Sequence, residues 1–453
     1  MMRPPDTGQQ TRDTCDDKVC AEQVLRRIVK GVPILADEYM GMSPEERCKL
    51  PTTTHYLVCA PRDARRIADR EGVQIPILIP ACRNDSKPQL SIGAFLTALE
   101  ASPSATVDVH YGDAKFDPVS SKHYTARRQT AARAAKRFRD STSRVSMNLL
   151  NLRCMRDNEI PSALDNHPNF NLVARLMVAS AGKESATGKM VDAGIHDCRS
   201  WHVLSKGGAW STPHRDRHGL ITTTFIEDCD GTKDWIMYPE LTQGQMEGYK
   251  ESLADRDGGF DYTLLPEPFN IQLSTGDTIL QPARRFHAPR SDHRVLVTGT
   301  THLHTGGVLH SLLASQEERR FPNLTNEDEA HDYLPLIQSV VNLWSRDLKH
   351  TQGAGDTTTG VKRTWRDEDI PEARRILKSL RTGVGTTATS LSSAELREPA
   401  RKARKAVGGS LGAAGSETAT TPSETATESP QVRAGLVTRS QSGQQTGESS
   451  VSW

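Results

Sequence analysis

A histidine and an aspartate two positions apart, His214 and Asp216, followed after a long interval by a third candidate ligand, His287, place a geometric demand on this chain. Residues two apart on a strand project from one face, so His214 and Asp216 can reach one metal ion while Arg215 between them points away. The third ligand must arrive on a strand folded back beside the first. His287 suits this role because it follows an extended apolar run and Pro282, and the interval leaves chain for several hairpins. Two histidines and one carboxylate form the donor set that binds ferrous iron and leaves positions open for a bidentate cosubstrate and dioxygen. The pattern therefore predicts a strand-rich fold around an iron-type centre and an oxygenase.

Each of these residues also has a plainer reading. His214 and Asp216 could be the polar end of an exposed strand, since H-x-D alone is a weak signal. His218 could replace His214 if the segment were helical, but Pro213, Gly219 and the following ITTTFI run favour a strand, which leaves His218 outside the ligand set. His202, His302 and His304 lie on apparent strands near the core and read as hydrogen-bonded structural histidines.

The stretch Ser211 to Pro239, STPHRDRHGLITTTFIEDCDGTKDWIMYP, resembles the core of the JmjC-domain oxygenases, in which H-x-D/E precedes a hairpin ending in a G-x-K-x-W-like strand and a proline. GDTILQPARRFH resembles that family's G-D-x-x-x-x-P-x-x-x-x-H element. VSMNLLNL at Val145 to Leu152, with Ile160-Pro161, resembles the segment that precedes the barrel. The resemblance spans Pro76 to Ser315 at its widest, and its motifs concentrate between Trp201 and Thr305. It implies that His214, Asp216 and His287 ligate Fe(II), and that Lys233 pairs with the distal carboxylate of 2-oxoglutarate, helped by a hydroxyl from Thr212, Thr224 or Thr300, with Thr212 the first choice. Lys233 has its own bland account as a solvated hairpin residue after the Asp230-Gly231 turn. No aromatic partner for the cosubstrate stands out.

Composition agrees with an intracellular globular enzyme of the nucleus or cytoplasm. The chain has 453 residues, 36% hydrophobic and 25% charged, which is ordinary for soluble protein. A net charge of +1 exerts no global pull toward nucleic acid or membrane. Eight cysteines show no C-x-x-C pair and no zinc-finger spacing, and read as free thiols of a reducing compartment. The polar N-terminal stretch MMRPPDTGQQTRDTCDDK lacks an apolar core, so no secretory signal is expected, and no run of about 18 apolar residues suggests a membrane span.

Apolar spacing predicts helices over Cys20 to Lys30, Arg62 to Arg70, Leu90 to Ala101 with Ser91 at its start, and Leu172 onward, with strands at His55 to Ala60 and Ile75 to Pro80. Ser121 to Asp140 reads as a basic helix with a solvated face, and direct nucleic-acid contact is not expected of it. Val295 to Thr298 is a β-branched run suited to closing a barrel. His331 to Lys349 is apolar at helical spacing and is expected to pack on the barrel or on a second copy of the chain as a homodimer. After Thr351, Ser, Thr, Gly, Ala and Glu dominate, SETAT occurs twice, and a basic cluster runs from Arg401 to Lys405. Such a segment buries too little apolar surface to offset its ordering entropy; one short helix, Pro371 to Arg381, is expected within it. Gly408 to Gly412 matches G-x-S-x-G but has no preceding strand and carries no hydrolase reading.

The expected architecture is a mostly β core, a double-stranded β-helix (jelly-roll, JmjC/cupin-like) barrel with flanking helices. Residues 1–74 form an N-terminal extension, 75–320 the barrel domain, 321–350 a C-terminal helix and 351–453 a disordered tail. The expected activity is Fe(II)- and 2-oxoglutarate-dependent hydroxylation of a protein side chain, or demethylation of an N-methyl-lysine, with a protein substrate such as a histone. The 241–261 loop is placed over the barrel mouth to set specificity. Two other classes stand against this: a silent barrel serving as a scaffold, and a cupin holding another divalent metal.

Overall fold

Strands buried on both faces occupy the middle of this fold, and strands with alternating burial lie toward its margins. The computed structural model describes residues 25–102, 104–111, 127–140, 145–156, 163–165, 167, 169–170, 200–254, 262–325, 333–350 and 369–382. All of them belong to the first of the two units into which the chain divides, Met1–Thr386 and Thr387–Trp453.

The chain begins with β1 (Val29–Lys30), β2 (Val32–Leu35), α1 (Ala36–Gly41), α2 (Pro44–Lys49), β3 (His55–Val58), α3 (Pro61–Glu71), β4 (Ile77–Ile79) and α4 (Ile92–Glu100). It continues through β5 (Thr106–Tyr111), β6 (Arg127–Thr130), α5 (Ala131–Arg139), β7 (Met147–Arg153), β8 (Ser200–Lys206), β9 (Ala209–Trp210), β10 (Ile221–Cys229), β11 (Lys233–Met237) and α6 (Gln243–Ala254). Last come β12 (Phe269–Leu273), β13 (Thr278–Gln281), β14 (Arg290–Ser291), β15 (Val295–His302), α7 (Val308–Arg320), α8 (Tyr333–His350) and α9 (Asp369–Thr382).

The strands form a ten-stranded sheet, β2-β3-β4-β13-β10-β15-β8-β7-β5-β6, and a five-stranded sheet, β1-β12-β11-β14-β9. Every residue of β13, and β10 from Ile221 to Glu227, is buried, as the centre of the large sheet requires. Ile226, Ile279, Val295 and Val297 of the large sheet pack against Trp235, Met237, Phe269, Ile271 and Leu273 of the small one. The other face of the large sheet is covered by α4 and α5, whose Phe95, Leu96, Ala134 and Phe138 meet Leu149, Leu204 and Leu296. The core is thus rich in β structure and flanked by helices. Ser91 caps α4 by accepting from the Ala94 N–H, as expected for its start.

Several expectations change. Residues 29 and 30 are extended, because Val29 and Lys30 pair in parallel with Phe269 and Asn270; the predicted Cys20 to Lys30 helix therefore stops short. The 1–74 extension is not separable, since β2 and β3 lead through β4 into the centre of the large sheet. The basic segment enters as strand β6 before it becomes α5. Within the predicted 241–261 loop lies α6. The apolar face of α8 is covered within the chain: Ile337, Val340 and Val341 pack with Leu312 of α7 and with Ile370, Ala373, Ile376 and Leu377 of α9. Over its described side chains α8 thus packs within the chain, one of the two covers expected for it, and α9 lies in the folded core rather than in a tail beginning at 351. The predicted helix from Leu172, the SETAT repeats and the Arg401 to Lys405 cluster lie outside the described residues. Among the described residues no helix is long and apolar enough to cross a membrane.

Candidate metal centre

The third ligand does fold back beside the first. His214 and His287 form an isolated antiparallel bridge, and the N–H of each donates to the carbonyl of the other, at 3.0 and 2.9 Å. Directly opposed residues of such a pair project to one side, and the two rings lie with centroids 4.2 Å apart. Asp216, two positions on, joins them. One ligand atom from each of His214, Asp216 and His287 lies within 4.8 Å of the others, and all three residues are buried. The trio lies close enough to bind one metal ion.

Neighbouring groups orient the donors. Nδ1 of His214 lies 2.7 Å from the Thr212 carbonyl, to which its N–H donates, leaving Nε2 for a metal. Oδ2 of Asp216 accepts from the Thr222 hydroxyl in a short bond and from Gln281 Nε2 at 2.9 Å. Oδ1 is left on the side of His287, 3.4 Å from its Nε2. Gln281 is itself held by Trp235, whose Nε1–H donates to Oε1 at 3.3 Å. Trp235 stacks on His287 with centroids 5.7 Å apart.

Burial sets the charge state. It pushes His214 down to about 3, reinforced by the neighbouring His287, and pushes His287 down to about 4. Both imidazoles are therefore neutral at pH 7, the form that ligates metals. Burial raises the Asp216 carboxyl, against the opposing pull of His214 and the Thr222 hydrogen bond. A divalent cation supplies the charge that this buried carboxylate lacks, so the donor set fits a metal in its chemistry as well as its spacing.

Lys233 lies on the five-stranded sheet two positions from Trp235, hence on the same face. Its side chain is buried, donates to Ser291 Oγ at 2.6 Å and sits 5.9 Å from the Trp235 ring centroid. No carboxylate of the described residues forms an ion pair with it, and burial pushes the ammonium down to about 8. A buried ammonium whose hydrogen bond goes to a hydroxyl has the chemistry to receive an anion.

The three threonines fare differently. The hydroxyl that Lys233 meets belongs to Ser291, not to Thr212, Thr224 or Thr300. Thr224 shares the face of Thr222, opposite Ile279 and Gly299. Thr300 pairs with Thr223, one step out of phase with Thr222, so it points to the other side of the sheet, away from Asp216. Thr212 contributes its backbone carbonyl to His214.

Sequence reasoning missed Thr222, Gln281, Trp235 and Ser291. A glutamine closing the buried TILQ strand and a tryptophan at i+2 from Lys233 were available signals; Thr222 and Ser291 had none, because register decides them. His202, His302 and His304 each make hydrogen bonds apart from the trio. His202 is buried, receives the Met155 N–H on Nε2 at 2.9 Å and places Nδ1 near the Val297 carbonyl and Thr298 Oγ1. His302 meets the Thr223 hydroxyl and His304 caps the turn at Gly306. His218 is buried, stacked on Tyr333 with centroids 3.6 Å apart.

No family model matches this chain, and no curated protein is similar to it in sequence at a significant level.

Proposed function

We propose that this chain is an Fe(II)- and 2-oxoglutarate-dependent oxygenase of the JmjC kind, its β-rich core a double-stranded β-helix, acting on a protein side chain as hydroxylase or N-methyl-lysine demethylase. The observation that carries the proposal is a buried His-Asp-His donor set linked through Trp235 to a buried lysine that forms no ion pair with a carboxylate among the described residues. A simple metal-binding cupin has no use for that lysine, whereas a dicarboxylate cosubstrate needs a metal at one end and a cation at the other.

In this reading His214 and His287 offer neutral nitrogens and Asp216 offers Oδ1, with Oδ2 kept occupied by Thr222 and Gln281. Lys233 and Ser291 would hold the distal carboxylate, with Trp235 near the ammonium on one side and stacked on His287 on the other. Fe(II) with 2-oxoglutarate and dioxygen supplies a C–H oxidant, the cosubstrate leaving as succinate and CO2. Hydroxylation of a carbon gives a stable alcohol, whereas hydroxylation of an N-methyl group gives a hemiaminal that loses formaldehyde. The protein substrate, histones included, and a nuclear or cytoplasmic setting belong to the same proposal.

The test is an anaerobic titration of purified protein with ferrous iron and 2-oxoglutarate, followed by admission of oxygen and measurement of succinate. The expected result is a weak visible charge-transfer band and succinate release, both lost in His214→Ala, with the band requiring far more cosubstrate in Lys233→Ala. A wild-type protein that gives neither overturns the proposal; a band without succinate indicates a barrel that binds and does not turn over.

A further inference from the structure

Helix α7 backs the segment that carries His214 and Asp216. Glu318 Oε2 accepts from the His218 N–H at 3.0 Å, Ser315 Oγ lies 3.0 Å from His218 Nδ1, and the Ser311 hydroxyl donates to the His218 carbonyl. These contacts hold His218 in a left-handed conformation, φ 63°, two residues beyond Asp216. Adjacent Glu317 reaches further. Its Oε2 accepts from Arg215 Nη2 at 2.8 Å and from Arg284 Nη2 at 3.1 Å, and its Oε1 meets the Lys250 ammonium of α6 in a short contact.

The position of those two arginines matters more than their number. Arg215 stands between His214 and Asp216, is fully buried, and turns its guanidinium to Glu317 of α7. Arg284 stands in the turn that delivers His287, also left-handed at φ 60°. Its stem is packed tightly, since a Cβ on Gly219 would come within 3.1 Å of Arg284 Cγ and 2.9 Å of Ala314 Cβ on α7. One carboxylate therefore ties together the two stretches of chain that supply all three ligands. Burial alone would raise the Glu317 carboxyl; Arg215, Arg284 and Lys250 outweigh it and hold the group well below the usual carboxylate range.

We infer that Glu317 is a positioning residue of the metal centre, a carboxylate that holds the His214–Asp216 segment and the turn before His287 at the separation a metal requires. The inference rests on the metal-binding reading above. A three-ligand site binds tightly only when its ligands are held close to the bound geometry beforehand, and groups behind the ligands typically tune affinity by about 10- to 100-fold. The His214–His287 bridge fixes one point of contact between the two stretches; Glu317 fixes a second, behind the ligands, so they cannot pivot about the first.

Cobalt(II) titration of the full chain, followed by visible absorption, separates the possibilities. Wild type should bind one cobalt with a ligand-field spectrum that His214→Ala abolishes. Glu317→Gln and Arg284→Gln should each weaken cobalt binding by roughly 10- to 100-fold and change the band shape, because the ligand geometry relaxes. Arg284 is 30% exposed in its side chain, so its variant keeps the test decisive if Glu317→Gln fails to fold. Unchanged affinity and spectrum in a folded variant, whatever its melting temperature, overturn the inference while leaving the metal centre standing. A wild type that binds no cobalt, or binds it equally in His214→Ala, overturns both.

Discussion

Gln281 shows how much of this site depends on a side chain that is neither a ligand nor charged. Its amide donates to Asp216 Oδ2, accepts from Trp235 and lies 3.1 Å from His287 Nδ1, so it touches one ligand, supports another and fixes the indole beside them. Gln281→Leu keeps the volume and removes all three contacts. We expect metal affinity to fall by about 10- to 100-fold, measured by cobalt titration, because the partners of metal ligands tune affinity on that scale. Lys233 makes a prediction in pH. Burial has lowered its folded value to about 8, so between pH 8 and the ordinary lysine range the unfolded chain binds more protons than the folded one, and the ligand-free protein gains stability as pH rises through that window. Under the proposed function binding runs the other way, since only the ammonium attracts a carboxylate: kcat/KM for 2-oxoglutarate should fall above about pH 8, and a profile flat to pH 9.5 would separate Lys233 from the proposed cosubstrate. His214, Asp216 and His287 were legible as a trio because the H-x-D spacing was joined by the GDTILQPARRFH element that carries the second histidine. Thr300 was not separable from Thr222, because a single step of register turns a residue to the far face of the sheet.

At the scale of elements, what the sequence hid was pairing over long distances. Residues up to Lys30 carry helical spacing, yet Val29 and Lys30 are drawn out by Phe269 and Asn270, partners more than two hundred positions away. The apolar stripe of α8 was readable, but its cover was not. A stripe announces that something packs on it without saying what, and here α7 and α9 do. A chain ending at His350 should therefore lose the contacts of Ile370, Ile376 and Leu377 with Ile337 and Val341. We expect a marked drop in melting temperature and a tendency to associate through the uncovered stripe, whereas a chain ending at Thr386 keeps the stability of the whole. Ile337→Ala, at a fully buried position, should cost about 2–5 kcal/mol in chemical denaturation without changing the oligomeric state.

Across the whole molecule, buried neutral histidines make acid the weak side of this fold. Burial pushes His202 down to about 4 and His218 down to about 3, and the pair at the metal site behaves alike. As pH falls below the ordinary histidine value of about 6.5, the unfolded chain takes up protons that the folded chain refuses. Stability is thus fully present at pH 7 and is lost progressively down to the folded values, with His202 alone contributing on the order of 3 kcal/mol. Melting temperature should fall steeply between about pH 6.5 and 4, and a bound divalent metal should reduce that slope by holding His214 and His287 deprotonated. His202→Gln should flatten part of the same slope.

The chain leaves the small sheet at Met237, runs through α6 and rejoins it at Phe269. Among its described residues that excursion contributes nothing to the His214, Asp216 and His287 trio and neither partner of the Lys233–Ser291 pair. Doubling the length of a flexible connection adds only about 0.6 kcal/mol of closure entropy. Length here is therefore cheap to change, but content is not: Tyr249, Tyr262 and Leu265 pack with Ile236 and Phe286 and Lys250 meets Glu317, so this stretch is inherited jointly with the residues behind the His-Asp-His trio.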